Sequence, residues 1–401
     1  MTEATRQALT GHDDQAATAA QAAASAAPPL PRRISARAVT KMLATASRAP
    51  SVHNTQPWRF AVGPHAIDLY ADPERKLGQD RDGREMLISC GAALFGLRLA
   101  VRGLGYVPAV TLFSERSKPW LLARVALGPR APVTEAERRM LAALPHRHTH
   151  RGAFDPGPIP AGLLPGLQHD ALAEGATLAL VETPGRYGKL ADLAAEAARM
   201  QAHSAGARAE IQRWSRPPGS LARDGVPAAA FGPTASAGPG RLAQRDFDLG
   251  RHCGLLPVPG PDEPPPAATA VLVTAGDSRL DWLRAGQALH RVLAHAATVW
   301  VAASLQTQPL EIPVIRDLIR TRLALPGMPQ MLLQFGPAHT SLASARRTVP
   351  EFLIDPMSPG TARDERPWHP GGRHMGRRSR ALGPYRSCLP HARATKLKGR
   401  W

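Results

Sequence analysis

Between Arg48 and Arg59 the chain reads Arg-Ala-Pro-Ser-Val-His-Asn-Thr-Gln-Pro-Trp-Arg. A hydroxyl, an imidazole and two carboxamides, those of Ser51, His53, Asn54 and Gln56, are closed in between Pro50 and Pro57. Such a loop offers donors and acceptors together, the combination that recognises the edge of a heteroaromatic ligand. The same groups can also bond nearby backbone and simply build a turn. Both readings stand at this point.

Two further stretches carry polar groups. His146-Arg147-His148-Thr149-His150-Arg151 alternates imidazoles with guanidinium groups and a hydroxyl. The alternation fits a short extended segment, and with no carboxylate or cysteine close by in sequence it does not read as a metal site. Ser304, Gln306 and Gln308, followed by Pro309, either face a ligand or cap a loop. No Gly-x-Gly-x-x-Gly turn follows a strand, so no Rossmann-type nicotinamide site is expected.

The elements that position these groups follow from periodicity. Ser35 is a plausible N-cap for a helix to Arg48, with Pro50 beyond its end. Trp58–Val62 and Ala66–Tyr70 read as two strands joined at Gly63-Pro64-His65. A long helix spans Arg84–Leu104, and its small residues Gly91, Ala92 and Gly96 indicate close packing of another helix or of a ligand. Strands near Val107–Phe113 and Leu121–Leu127 complete a first half, 34–132. The second half, 133–353, repeats the theme, with helices at Glu135–Leu144, Arg186–His203 and Arg279–Ala303 and strands at Thr177–Val181, Ala268–Ala275 and Gln330–Phe335. The class is α+β, in two related halves. The segment 213–266 is crowded with Pro and Gly, the mark of a functional lid or a disordered insert.

Composition bounds the rest. The chain has 401 residues, 43% of them hydrophobic, enough for a buried interior in two units or one large domain. No run reaches the roughly 18–20 uninterrupted apolar residues of a membrane span. The leader, 1–33, is interrupted by Asp13 and Asp14 and lacks the apolar centre of a secretory signal. A cytoplasmic protein with no membrane association is expected. Cys90, Cys253 and Cys388 lie far apart, without disulfide or zinc spacing, and Cys90 reads as a buried, inert thiol. The net charge of +18 suggests nucleic acid, but much of the excess falls in the tail, 354–401. That tail reads as a disordered basic segment with weak, salt-sensitive affinity for polyanions and no specific nucleic-acid role.

Ala49-Pro50-Ser51-Val52-His53-Asn54-Thr55-Gln56-Pro57-Trp58 resembles the Ala-Pro-Ser-x-x-Asn-x-Gln-Pro-Trp segment of the FMN-dependent nitroreductases, in the form typical of the Acg-like branch of that superfamily. The resemblance continues in order through Asp82-Gly83-Arg84-Glu85, Arg147–Phe154, Arg223–Pro227, Ala303–Pro313, Gly327–Leu333 and Arg346-Arg347, covering Lys41 to about Leu353.

It implies a nitroreductase-like fold with FMN as cofactor. Nitroreductases are homodimers with FMN at the subunit interface, and here both sets of ligand-holding residues fall in one chain. The resemblance therefore implies two fused halves, an internal pseudo-dimer, as a monomer or a further homodimer. Ser51, His53, Asn54 and Gln56 would meet the flavin ring, with Ser304 and Gln308 at another edge. Arg147, Thr149, Arg151 and the pair Arg346-Arg347 would hold the phosphate, which guanidinium groups suit by bidentate bonding. NAD(P)H would be a transient reductant, and a nitroaromatic or quinone-like small molecule the acceptor. No side chain need be catalytic, because the flavin carries the chemistry. Asp224-Gly225-Val226-Pro227 is a candidate lid, and a lid opens the alternative of a protein that sequesters flavin without turnover.

Overall fold

Two long helices, α2 (Arg84–Gly103) and α7 (Arg279–Thr298), meet along a line of small residues at the heart of the molecule. A Cβ on Gly91 would stand 2.1 Å from the carbonyl oxygen of Leu283, and one on Gly286 would stand 1.9 Å from that of Ile88. Only glycine lets these backbones come so close. The small residues read from the sequence thus receive a helix. Around the seam Leu87, Leu94, Leu97 and Leu283 are fully buried, each contributing about 1.5–3 kcal/mol relative to exposure. By length and composition α2 could cross a membrane, but 83% of its apolar window is buried inside the protein, as in a core helix.

The computed structural model describes residues 34–152, 154–231, 242–249, 267–338 and 342–354. The leader, the tail beyond 354 and parts of the Pro/Gly-rich segment lie outside the described residues.

One sheet flanks each long helix. The first runs in the order β11 (Leu353–Ile354), β1 (Trp58–Val62), β2 (Ala66–Ala71), β4 (Leu121–Arg130), β3 (Tyr106–Leu112). The second runs β5 (Thr177–Leu180), β8 (Ala268–Thr274), β10 (Met328–Pro337), β9 (Val301–Gln306), all antiparallel, and a short parallel pair, β6 (Ser215–Arg216) with β7 (Val226–Pro227), stands apart from both. The chain then returns to its beginning. Strand β11 pairs in parallel with β1, Phe60 opposite Leu353, and the rings of Phe60 and Phe352 meet edge to face at 5.7 Å. This return brings Arg346 and Arg347 to the Ser51–Pro57 loop, as described below.

Helix α1 (Ala36–Ala46) is capped by Ser35, whose Oγ accepts from the Ala38 amide, and it packs on α2 beside Gly96. Further helices are α3 (Glu135–Ala143), α4 (Leu163–Ala173), α5 (Pro184–Ala202), α6 (Ala205–Trp214), α8 (Pro313–Arg322) and the short α9 (Val349–Phe352). One expected boundary is wrong. The helix read to Ala303 ends at Thr298, and Trp300, with φ of 58°, turns the chain into β9. The alanines in this stretch favour a helix locally, but pairing of Val301–Gln306 with the edge of β10 overrides that preference. Cys90 is buried, with Sγ 3.1 Å from the Pro57 oxygen, and burial pushes its thiol pKa well up.

Candidate functional site

A cleft lies where the long helices, the second sheet and the Ser51 loop converge. Pro50–His53 form one wall, and Glu85, Ile88 and Ser89 of α2 another. Thr149–Arg151 and the end of β9 through Gln308 form a third. Ala230, Gln244, Arg245 and Phe247, from the Pro/Gly-rich segment, reach over it.

Local geometry aims these side chains. His53, Asn54 and Gln56 all take positive φ, 52°, 55° and 49°. Left-handed backbone at non-glycine residues is costly and persists only where the surroundings enforce it. Here Ser51 Oγ accepts from the Gln56 amide at 3.0 Å and ties the loop to itself. Across the cleft the extended stretch around Thr149 lies along β9, with the His150 amide donating to the Ala303 oxygen at 2.9 Å. Thr149 and His150 are extended, as the sequence indicates, whereas the amides of His146 and Arg147 bond back to Ala143 and close the turn after α3.

The cleft gathers Ser51, His53, Thr149, Arg151, Ser304 and Gln308 from the residues singled out in the sequence. It does not gather Asn54, Gln56, Arg147, Arg346 or Arg347. Asn54 Nδ2 donates to the oxygens of Gly225 at 3.1 Å and Ala345 at 3.0 Å. Gln56 Nε2 donates to the Arg223 oxygen at 2.8 Å, and Gln56 Oε1 accepts from the Arg347 amide at 2.8 Å. The turn-building reading therefore applies to these two carboxamides, except that the backbone they bind is remote in sequence. Arg347 Nη1 donates to the Gln56 oxygen at 3.2 Å, and its guanidinium lies over Phe352.

The segment pinned in this way contains Asp224–Pro227, the lid candidate of the sequence; none of these four residues lines the cleft, which the same insert reaches through Ala230, Gln244, Arg245 and Phe247. Asp224 lies between Arg75 and Arg216 and forms an ion pair with each, the second at 2.7 Å. Arg75 also donates to the Thr55 oxygen at 2.5 Å. Gly225 has φ of +75°, and a Cβ there would meet the Trp214 oxygen at 2.6 Å, so glycine is required at the tip of the latch.

Beside the cleft four arginines crowd together. Arg147 is 5% exposed; its Nη2 donates to the Arg48 oxygen at 2.8 Å, while its Nε and Nη1 are buried without a partner among the described residues. Arg346 donates to the Ser47 oxygen at 3.0 Å and to Asn54 Oδ1 at 3.1 Å. Among the described residues none of Arg48, Arg147, Arg151 and Arg346 forms an ion pair with a carboxylate. Burial first, then Arg346 and Arg48, lower the pKa of Arg147 to about 9. Burial and the facing charges of Arg48 and Arg151 lower Arg346 to about 10, and burial with Arg245 lowers Arg151 to about 10. Buried like charges with unused donors are a site prepared for an anion.

Among the described residues the cleft walls contain three more buried polar atoms without a partner: His53 Nε2, Glu85 Oε2 and Gln308 Oε1. Burial, Arg245 and Arg151 drive the His53 pKa well below the ordinary imidazole value, so its ring is neutral. The His53 ring meets Phe247 edge-on at 5.3 Å. Among the described residues no three His, Cys, Asp or Glu side chains are grouped to hold a metal. Sequence reasoning gave no role to Glu85, Arg245 or Phe247. The signal for Glu85 was its place beside the apolar Met86-Leu87-Ile88 of a core helix; the composition of the insert concealed the other two.

No protein-family model matches the chain. A provisionally named NAD(P)H nitroreductase of Mycobacterium tuberculosis (strain H37Rv) is 35% identical over 305 residues, 75% of this chain and 85% of its own length. A second protein of that strain, provisionally named NAD(P)H nitroreductase acg, is 28% identical over 324 residues, 80% of this chain and 95% of its own. A solved nitroreductase with bound FMN from Bacteroides fragilis overlaps only loosely, with a TM-score of 0.32 at 14% identity over 52% of this chain and 93% of that one.

Proposed function

Because the chain belongs to the family of NAD(P)H nitroreductases, we propose that it is a cytoplasmic oxidoreductase that holds FMN in the cleft beneath Phe247. NAD(P)H is the reductant, and a nitroaromatic or quinone-like small molecule the acceptor. The observation that carries this reading is the group of buried arginines without carboxylate partners, running from Arg147 through Arg346 to Arg151 at the cleft.

The residues present fit the cofactor. A phosphate at Arg151, the member of the cluster that lines the cleft, would offset the mutual repulsion of the buried arginines. Thr149 adds a hydroxyl donor beside Arg151. The unpartnered atoms of His53, Glu85 and Gln308 suit the mixed donors and acceptors of a heteroaromatic ring. Asn54, Gln56 and Arg347 serve at one remove, by closing the cover. When bound, the flavin supplies hydride acceptance and donation. The chain itself binds and orients the ring, keeps His53 neutral beside it and excludes water from above. The halves 34–132 and 133–353 act as the two subunits of an internal pseudo-dimer, with one site between them.

The latch favours a second reading, in which the cover is closed firmly enough to sequester FMN without turnover. An absorbance spectrum of the purified protein loaded with FMN, before and after anaerobic NADPH, separates the two. Bleaching by NADPH supports the oxidoreductase. A band that bleaches only with dithionite supports sequestration. Failure to take up FMN at all overturns both.

A further inference from the structure

We propose that Glu85 serves the cleft as a neutral carboxylic acid, donating a hydrogen bond from Oε2 to an acceptor atom of the bound heteroaromatic ring. The inference rests on the FMN reading above and deepens it, by giving one residue control over how tightly the ring is held and at what pH.

Glu85 is the second residue of α2 and is 4% exposed. Its two oxygens differ in their surroundings. Oε1 accepts from Arg84 Nη2 at 3.1 Å; Oε2 is buried, has no partner among the described residues, and belongs to a side chain in the cleft wall. A buried polar atom left unpaired is costly, and more so if it bears charge. Such an atom in a ligand cleft marks a place for a ligand group. Because Arg84 donates to Oε1, the proton belongs on Oε2.

The charged groups facing Glu85 come from four directions. Arg84 precedes it on α2, and Asp80 lies in the loop before, where it accepts from the amides of Glu85 and Met86. Glu311 faces it from the turn at Gln308–Glu311, and Arg245 from the cover. Three carboxyl groups therefore meet two guanidinium groups. Arg245 is already paired with Glu311, and Arg84 divides its donors between Glu85 and the oxygens of Leu310 and Gln330. Arg316, on α8, faces Arg84 as a like charge and is itself held by Asp277. Burial, Glu311 and Asp80 outweigh the pull of Arg84 and raise the Glu85 pKa well above the carboxylate range. Below that raised pKa Glu85 is a donor; as pH climbs through it, the donor becomes a buried anion and the ring is released.

The test is FMN binding to the full-length protein by flavin fluorescence, from about pH 6 to about pH 9, with wild type, Glu85→Gln and Glu85→Leu. Circular dichroism and thermal melting establish that each variant is folded, and an infrared spectrum of the ligand-free proteins reads the protonated carboxyl band. Glu85→Gln keeps a neutral donor, so it is expected to bind within about threefold of wild type at low pH and to show no pH dependence of its own. Glu85→Leu is expected to weaken binding by about tenfold or more, the equivalent of one 1.4 kcal/mol interaction. The protonated-carboxyl band is expected to lose intensity in Glu85→Gln. Wild-type affinity in Glu85→Leu, a fall with pH in Glu85→Gln parallel to wild type, or an unchanged carboxyl band overturns the assignment while leaving FMN binding intact. Failure of every protein, wild type included, to bind FMN overturns the cofactor reading, and the Glu85 donor with it.

Discussion

Asn54 donates its side-chain amide to the backbone oxygen of Gly225, 3.1 Å away and 171 residues on in the chain. Through that bond the loop that forms one wall of the cleft also holds the insert whose Ala230, Gln244, Arg245 and Phe247 line the cleft. Gln56 repeats the arrangement with the oxygen of Arg223, and Asp224, between them, is gripped by Arg75 and Arg216. The cover is thus fastened by polar contacts beside a small apolar cluster that includes Ile211, Phe231 and Phe247. Such a closure can be released without unfolding the core.

Weakening the latch should therefore act on exchange more than on stability. Asp224→Ala leaves two partly buried guanidinium groups without their carboxylate. We expect FMN to dissociate at least about tenfold faster, consistent with loss of a hydrogen-bonded charge pair, with Asp224→Asn intermediate. Stopped-flow release of FMN into excess apoflavodoxin or another flavin trap measures this. An unchanged rate would mean the cover does not gate the cleft.

Arg147 should show a conflict between stability and binding. Its charge is buried against Arg48 and Arg346 with no carboxylate partner among the described residues. In the ligand-free protein Arg147→Met removes that repulsion, and we expect unfolding in urea to show a stability equal to wild type or higher by up to about 4 kcal/mol. The same variant should lose the phosphate-dependent part of FMN affinity. A variant that is strongly destabilised without ligand would show that Arg147 is a structural residue.

Much of the frame was legible in the sequence. Alternation gave β1 and β2, and apolar spacing gave α2, because each is decided by neighbours close in sequence. Gly91, Ala92 and Gly96 indicated a close packing partner, a helix or a ligand; that it is the distant helix α7 shows only in the fold. What escaped was set at long range. Strand β9 lies in an alanine-rich run and becomes a strand only by meeting β10. Asn54 and Gln56 looked like ligand groups because nothing nearby in sequence showed that Gly225 and Arg223 would occupy them. The arginine cluster joins residues 48, 147, 151 and 346, and its lack of carboxylates is visible only once they are together.

The helix seam makes a prediction about folding alone. A methyl group at Gly91 would collide with the Leu283 carbonyl, a backbone atom that cannot turn aside. Gly91→Ala should cost more than about 3 kcal/mol, the upper end of ordinary overpacking, and Gly286→Ala should behave alike. Near-wild-type melting temperatures for both would show that the helices separate readily.

Glu85 also leaves a mark on stability. The folded chain keeps the Glu85 proton at a pH where the unfolded chain has released it, because the folded pKa is raised. That state binds more protons when folded, so its contribution to stability falls as pH rises above the ordinary carboxylate range and up to the raised pKa. Glu85→Gln removes this dependence. The difference in unfolding free energy between variant and wild type should therefore shift in favour of the variant as pH rises from the ordinary carboxylate range toward the raised pKa. A pH-independent difference would show that Glu85 is ionised in the fold.

The most direct test compares FMN with riboflavin, which has the same ring and no phosphate. If the arginines beside the cleft hold the phosphate, wild type binds FMN about 100-fold more tightly than riboflavin, the worth of one or two charge-assisted bonds at about 1.5–3 kcal/mol each. Arg147→Met and Arg346→Met would then each bring the two affinities most of the way together while leaving riboflavin binding unchanged. Equal affinities for FMN and riboflavin in wild type, or a preference for FMN that survives in both variants, would contradict the account.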